Sequence, residues 1–319
     1  MTMRALLSTQ RNPALMAVAV FLVLCGVNAI LQPSFLRGGV AVSNVAAFLP
    51  MILVAIGQTY VVLASDIDLS AGAIVSLVNV AVVSIIDGMG GSAASIALGL
   101  ATGLVLGPLC GLVNGLCVAV LRFQPIVTTF ASGIVFGGVA LWILPEAGKQ
   151  VPPPMYQAYA GAVWGVPTVL LILLAAIAFT SYVSRTPFYN ALRATGGNMQ
   201  AAYQTGVPVA QVRIVAYAMS GLFAALAGLA LVGETASGDP LIGGALTLSS
   251  VTAVVLGGTA LKGCVGGAVG SILGACILGL INNVIFFAQL PFEWQGLVQG
   301  VIILAALAGG VAMAHGRRA

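Results

Sequence analysis

Charge is scarce in this chain. Of its 319 residues, 11 are Lys or Arg and 7 are Asp or Glu, so charged residues make up 6% of the total. A water-soluble domain carries roughly a quarter of its residues as charges, which excludes a surface that faces water all round. Histidine occurs once, as His315, and the five cysteines (Cys25, Cys110, Cys117, Cys264, Cys276) form no Cys-x-x-Cys pair. Neither the usual zinc ligand set nor a disulfide framework is therefore indicated. No Gly-x-x-x-x-Gly-Lys-Ser/Thr stretch is present, so the chain has no P-loop with which to hold nucleotide phosphates. No Cys/His pair, Ser/His arrangement or metal cluster stands out, which leaves no catalytic constellation and no metal site to assign. The net charge of +4 is spread without a basic run, and it marks topology rather than nucleic-acid binding.

What is abundant is apolar residue, at 60% of the chain. A bilayer-spanning helix needs ~20 mostly apolar residues. Ten such segments are readable, at about 13–32, 43–64, 70–87, 92–121, 125–145, 164–183, 212–234, 245–261, 265–289 and 294–313. The expected fold class is an all-α polytopic membrane protein, a single transmembrane domain over 1–319. The third and eighth segments are short and rich in small residues, as broken or partly inserted helices would be. Arg4 and Arg11 before an apolar stretch, with Val27-Asn28-Ala29 after it, mimic an export signal. The membrane character of everything downstream favours an uncleaved first span.

With the N-terminus inside, Arg4, Arg11, Arg122, Arg185, Arg193, Arg213, Lys262, Arg317 and Arg318 face the cytoplasm, and Arg37 and Lys149 face out. This is a positive-inside separation that loss or gain of one middle span would scramble. Both termini are then cytoplasmic. The largest outer loop, about 146–163, contains Val151-Pro152-Pro153-Pro154, which predicts extended backbone.

The halves align at an offset of 171 residues: Asp68-Leu-Ser-Ala-Gly72 falls on Asp239-Pro-Leu-Ile-Gly243, Ser76 on Thr247, and Gly57 on Gly228. With a slip to 168, Gly111-Leu-Val-Asn114 meets Gly279-Leu-Ile-Asn282. The copies, about 13–183 and 184–313, are five spans apart. An odd number inverts the second relative to the first, an arrangement that builds alternating-access pathways.

The inner loop 184–211 carries helix punctuation. Asn198 is a fit N-cap for a short helix 199–205, Gly206 suits a left-handed C′ position, and Pro208 forbids continuation. Gly196-Gly197 permits a sharp turn before it. By itself this reads as a structured linker or as a docking element for another protein. Asp66, Asp68 and Ser70 sit at the cytoplasmic end of the second span. They read as caps for the helix that starts near Ser70, or as a gate or docking group, with Asp239 as the counterpart at the outer end of the second copy.

Three motifs in order carry a family resemblance. Ala194-Thr-Gly-Gly-Asn198-Met-Gln-Ala-Ala-Tyr-Gln-Thr-Gly206 resembles the signature loop of ribose/xylose/arabinose/galactoside-type ABC importer permeases. Asp66-Ile-Asp68-Leu-Ser-Ala-Gly72 resembles their acidic motif, and Gly257 to Ala275, continued by Asn282, their glycine-rich stretch. The sequence departs from the pattern at Cys264 and at Phe136-Gly137-Gly138. The resemblance implies a subunit that moves a monosaccharide or related polyol across a bacterial inner membrane. It implies a second permease subunit, identical or related, a cytoplasmic ATPase carrying ATP and Mg, and a periplasmic sugar-binding protein. It assigns ATPase coupling to Arg193, Gly196, Gly197, Asn198, Ala201, Ala202 and Gly206, in the loop 184–211. An ion-coupled secondary transporter of a small polar solute is the alternative. The scarcity of ionisable residues in mid-span argues against proton coupling.

Candidate path-lining residues are the uncharged polar Gln58, Asn79, Asn114, Thr128, Thr129, Asn282, Asn283 and Gln299, with the aromatic Phe130 and Phe136. Each polar one reads equally as an interhelical hydrogen-bonder. Gly257, Gly258, Gly263, Gly266, Gly267, Gly270 and Gly274 suit close helix approach, whereas Gly72 goes with Asp66, Asp68, Ser70 and Asp239 in the gate or helix-cap group.

Overall fold

The computed structural model describes residues 13–289 and, beyond them, 291, 294, 296, 297, 300, 301 and 304. The expected tenth span and Gln299 therefore fall largely or wholly outside the described residues, as do both termini. The helices are α1 (Pro13–Leu31), α2 (Gly38–Leu63), α3 (Ala71–Gly88), α4 (Ala93–Ala119), α5 (Pro125–Ile143), α6 (Pro153–Ala160), α7 (Thr168–Val183), α8 (Pro187–Gly197), α9 (Met199–Gln204), α10 (Val209–Thr235), α11 (Gly244–Leu256) and α12 (Ala268–Phe287). Four two-residue strands accompany them: β1 (Lys149–Gln150), β2 (Ala162–Val163), β3 (Val166–Pro167) and β4 (Ser237–Gly238).

Among the described residues, six helices are long and apolar enough to cross a membrane: α2, α3, α4, α5, α10 and α12. A seventh is obtained if α7 and α8, which meet at a 74° bend, count as one broken span. The eighth expected segment is the 13-residue helix α11, and the first is a short apolar helix over its described part.

Helix α3 is apolar on all sides, which fits burial on all sides. Most of its residues are enclosed, by α2, α4, α5, α10 and α11. Tyr60 of α2 stacks on Phe223 of α10 at 6.2 Å between ring centroids. The α4–α10 contact is made by glycine. Gly107 of α4 and Gly221 of α10 lie backbone to backbone, and Gly111 lies on the Tyr217 carbonyl, with no room for a Cβ at any of the three. Gly99, Gly103, Gly107, Gly111 and Gly115 recur every fourth residue and so share one helix face.

At one end of the bundle β1 pairs antiparallel with β4, Lys149 opposite Gly238 and Gln150 opposite Ser237. Lys149 also reaches Asp87 at 2.8 Å. The opposite end, here the basic end, holds Arg193, Arg213 and Lys262.

Two local expectations are corrected. The proline run is not wholly extended: Pro152 is, but Pro153 and Pro154 open α6. Residues in a first helical turn have no intrahelical N–H partner to lose, so proline is accepted there. Gly196 and Gly197 are not a sharp turn. They are the last two residues of α8, and at Gly196 the reason for glycine is proximity rather than flexibility.

Candidate coupling surface and polar core

Asn198 joins two helices. Its backbone is extended (φ −158°), and its Oδ1 accepts from the Ala201 N–H at 2.9 Å, capping α9. Its own N–H donates to the Ala194 carbonyl at the end of α8. Helix α9 stops where Gly206 takes φ +85°, the left-handed conformation glycine adopts without a Cβ clash. Ala202 is its buried residue, while Asn198, Met199, Ala201 and Tyr203 face outward.

Helix α8 buries Leu192, Thr195 and Gly196 and leaves Arg193 exposed. A Cβ at Gly196 would collide with the Leu63 carbonyl, the last residue of α2. The Cys264 N–H donates to that same carbonyl at 3.2 Å. Arg193 Nε donates to the Cys264 carbonyl at 2.8 Å, and the Ser65 hydroxyl to the Lys262 carbonyl at 2.8 Å. The α8–α9 unit is thus fastened to the end of α2 and to the turn 262–264.

Just inside that surface the chain between α2 and α3 folds inward. Asp66 forms a two-pronged pair with Arg213 of α10, both bonds 2.9 Å, and both side chains are largely buried. Asp68 is fully buried. Its Oδ1 accepts from the Ser70 N–H (2.9 Å) and the Ser70 hydroxyl (2.6 Å), and its Oδ2 from the Ser220 hydroxyl (2.7 Å). Asn114 Nδ2 donates to Ser70 Oγ at 2.7 Å, and Thr129 Oγ1 accepts from the Leu69 N–H at 3.0 Å. Gln58, oriented to satisfy both groups, donates to the Asp68 carbonyl (3.1 Å) and accepts from its N–H (3.2 Å). The buried carboxylate ties the start of α3 to α10 through two hydroxyls and one backbone N–H, and α4, α2 and α5 join the same knot through Ser70 and through the Asp68 and Leu69 backbone.

A second meeting point joins α3 and α11. The Gly72 N–H donates to Thr247 Oγ1 at 3.1 Å, and the Gly243 N–H to Ser76 Oγ at 2.9 Å. A Cβ on either glycine would strike the carbonyl of the other. Gly72 and Gly243 are 171 residues apart, the offset read from the sequence, as are Ser76 and Thr247, and the two bonds cross reciprocally between these pairs. Asp239 precedes α11. Its N–H donates to Asn79 Oδ1 and its Oδ1 accepts from the Leu241 N–H.

The expected path residues divide into two groups. Gln58, Asn79, Asn114 and Thr129 are wholly buried, three of them in the Asp68 network and Asn79 against Asp239. They serve as interhelical ties in this conformation. Thr128 bonds its own helix at the Gln124 carbonyl, and Asn283 reaches Asn44 of α2 at 3.0 Å. Asn282 and Phe130 are exposed on the bundle surface, and Phe136 is partly buried. Of the second glycine set, Gly257 and Gly270 lie backbone on backbone, Gly274 packs on Ala253, Gly266 on Thr259 and Gly263 on Gly196. Gly267 faces the Tyr189 hydroxyl and Gly258 has φ +87°. Three participants escaped the sequence reading: Ser220, for which no local signal exists, Arg213 as a pairing partner, and the α4 glycine stripe, whose four-residue period was there to be found.

Residues 40–307 match the family model described as "Branched-chain amino acid transport system / permease component". The chain belongs to this family of importer permeases. It is similar to the autoinducer 2 import system permease protein LsrC of Escherichia coli O9:H4 (strain HS), with 32% identity over 259 residues, 81% of this chain and 75% of that protein. LsrC of Photorhabdus laumondii is 34% identical over 266 residues, covering 81% and 77%. LsrC of Yersinia pestis (strain Pestoides F) is 35% identical over 265 residues, covering 81% and 73%. No solved structure matches the chain.

Proposed function

We propose that this importer permease is the membrane subunit of an ATP-driven system that carries a monosaccharide or related polyol across the bacterial inner membrane. The single observation that carries this reading is the α8–α9 unit. It is a capped, outward-facing helix held by backbone contacts to the end of α2 and to the turn 262–264. A separate ATPase, carrying ATP and Mg, docks on α9 through Asn198, Met199 and Tyr203 and works the bundle from there. A second permease subunit completes the pathway, and a periplasmic binding protein delivers the solute. The termini face the cytoplasm.

The architecture in this reading is about ten spans in two inverted repeats. It is supported by the reciprocal Gly72–Thr247 and Gly243–Ser76 bonds, which are what a pseudo-two-fold axis between α3 and α11 requires. The sugar class is supported by the motifs around Asp68 and Asn198, and by relatives named for import of autoinducer 2, itself a candidate solute. Co-purification with the cognate ATPase tests the docking. Asn198→Pro and Gly206→Val should each weaken the complex and uncouple solute-stimulated ATP hydrolysis. Survival of both properties in both variants refutes the assignment.

A further inference from the structure

A cavity of about 280 Å³ opens between the last turn of α2, the end of α7, the start of α8 and the glycine-rich wall 257–270. It is far larger than the ~30 Å³ share of one water. Six hydroxyl side chains line it: Thr59, Tyr60, Thr180, Ser181, Ser184 and Tyr189, and no Lys, Arg, Asp or Glu does. Four of the six already donate inward. Thr59 bonds the Ala55 carbonyl and Ser271, Thr180 the Ile177 carbonyl, Ser184 the Ser181 carbonyl and Tyr189 the Gly266 carbonyl. Their oxygens remain available as acceptors.

Tyr60 is different. It is 2% exposed, its ring is fixed against Phe223, and its hydroxyl has no hydrogen-bond partner among the described residues. That hydroxyl opens on the cavity and is free to donate to, or accept from, a molecule that enters it. Hydroxyls without charge, beside tyrosine rings and bare glycine backbone, suit a small uncharged polyhydroxy molecule. They offer nothing to neutralise a phosphate.

The geometry points to a binding site for a small uncharged polyol, held by Tyr60 and Ser181 at the basic end of the bundle. The same chemistry is presented by a free sugar alcohol and by the glycerol head of phosphatidylglycerol. The uncharged lining favours the free solute. The site is independent of the ATPase-docking reading, because its test reads binding and not transport.

The full chain in phosphatidylcholine nanodiscs, probed with ribitol by saturation-transfer NMR, gives that test. A ribitol signal is expected in the wild type. It should fall at least five-fold in Tyr60→Phe, which removes only the phenolic hydroxyl, and vanish in Ser181→Leu, which fills the cavity from α7. Unchanged melting temperatures establish that the variants are folded. Should Tyr60→Phe unfold, Ser181→Leu alone carries the comparison. Nanodiscs containing phosphatidylglycerol separate the sources: an undiminished ribitol signal assigns the site to free solute, and a competed one to the lipid head. A ribitol signal absent from the wild type, or equal in the wild type and the folded variants, overturns the inference.

Discussion

Removing either hydroxyl at the α3–α11 junction should cost nearly the same. Ser76→Ala strands the Gly243 N–H, which now donates to Ser76 Oγ at 2.9 Å. Thr247→Val strands the Gly72 N–H, which donates to Thr247 Oγ1 at 3.1 Å. Gly243 is buried, and so is Gly72. The lost acceptor cannot be replaced by water without opening the contact. A buried donor left unpaired costs about 1–3 kcal/mol. Ser76→Ala also vacates little volume, so the polar term dominates, and valine closely matches threonine in shape. Each variant should therefore lose about 1–3 kcal/mol, and the two values should agree within about 1 kcal/mol. Because both bonds flank one Gly72–Gly243 contact, the double variant should depart from additivity. Reversible unfolding in mixed micelles with increasing dodecyl sulfate measures these differences. Ser43→Ala is the control: its exposed hydroxyl bonds the Gly39 carbonyl of its own helix, and its loss should stay within about 0.5 kcal/mol. Costs of both junction variants inside that range, or a cost for one alone, would refute the reciprocal reading.

Other outcomes follow from single contacts. Arg213→Ala leaves Asp66 buried and unpaired and should lose about 3–5 kcal/mol; Asp66→Asn with Arg213→Gln should recover part of it in the same assay. Gly196→Ala places a methyl on the Leu63 carbonyl. It should cost about 1–3 kcal/mol and lower solute-stimulated ATP hydrolysis in the reconstituted complex, with normal hydrolysis counting against the α8–α2 route. Asp87→Asn, whose pair with Lys149 is half exposed, should change stability by less than about 1 kcal/mol, and less at high salt.

The parts of the molecule that sequence foretold are those governed by local rules. Asn198, Gly206 and Pro208 bracket α9 because capping and left-handed backbone depend on the residue itself. Offset alignment brought Gly72 and Gly243 into correspondence because both need bare backbone, although their actual contact is a tertiary fact. Helix α8 was missed because its glycine ending resembles a turn. The Leu63 carbonyl, 133 residues earlier in the chain than Gly196, accounts for glycine at that position within the helix. The Asp68 network was legible by residue type but not by partner. Ser220 and Asn114 reach it through packing of α10 and α4, which no spacing along the chain encodes. The α4 glycine stripe had a visible period of four, and its partner α10 did not.

The central claim is that motion enters this bundle through α9 from a separate ATP-driven engine. Uptake into proteoliposomes holding the permease, its ATPase and the binding protein, with ATP inside or omitted, measures it. Accumulation against a gradient is expected only with ATP and all components present, and should be lost with Asn198→Pro. Uphill uptake by the permease alone, driven by a sodium or proton gradient, would contradict the account.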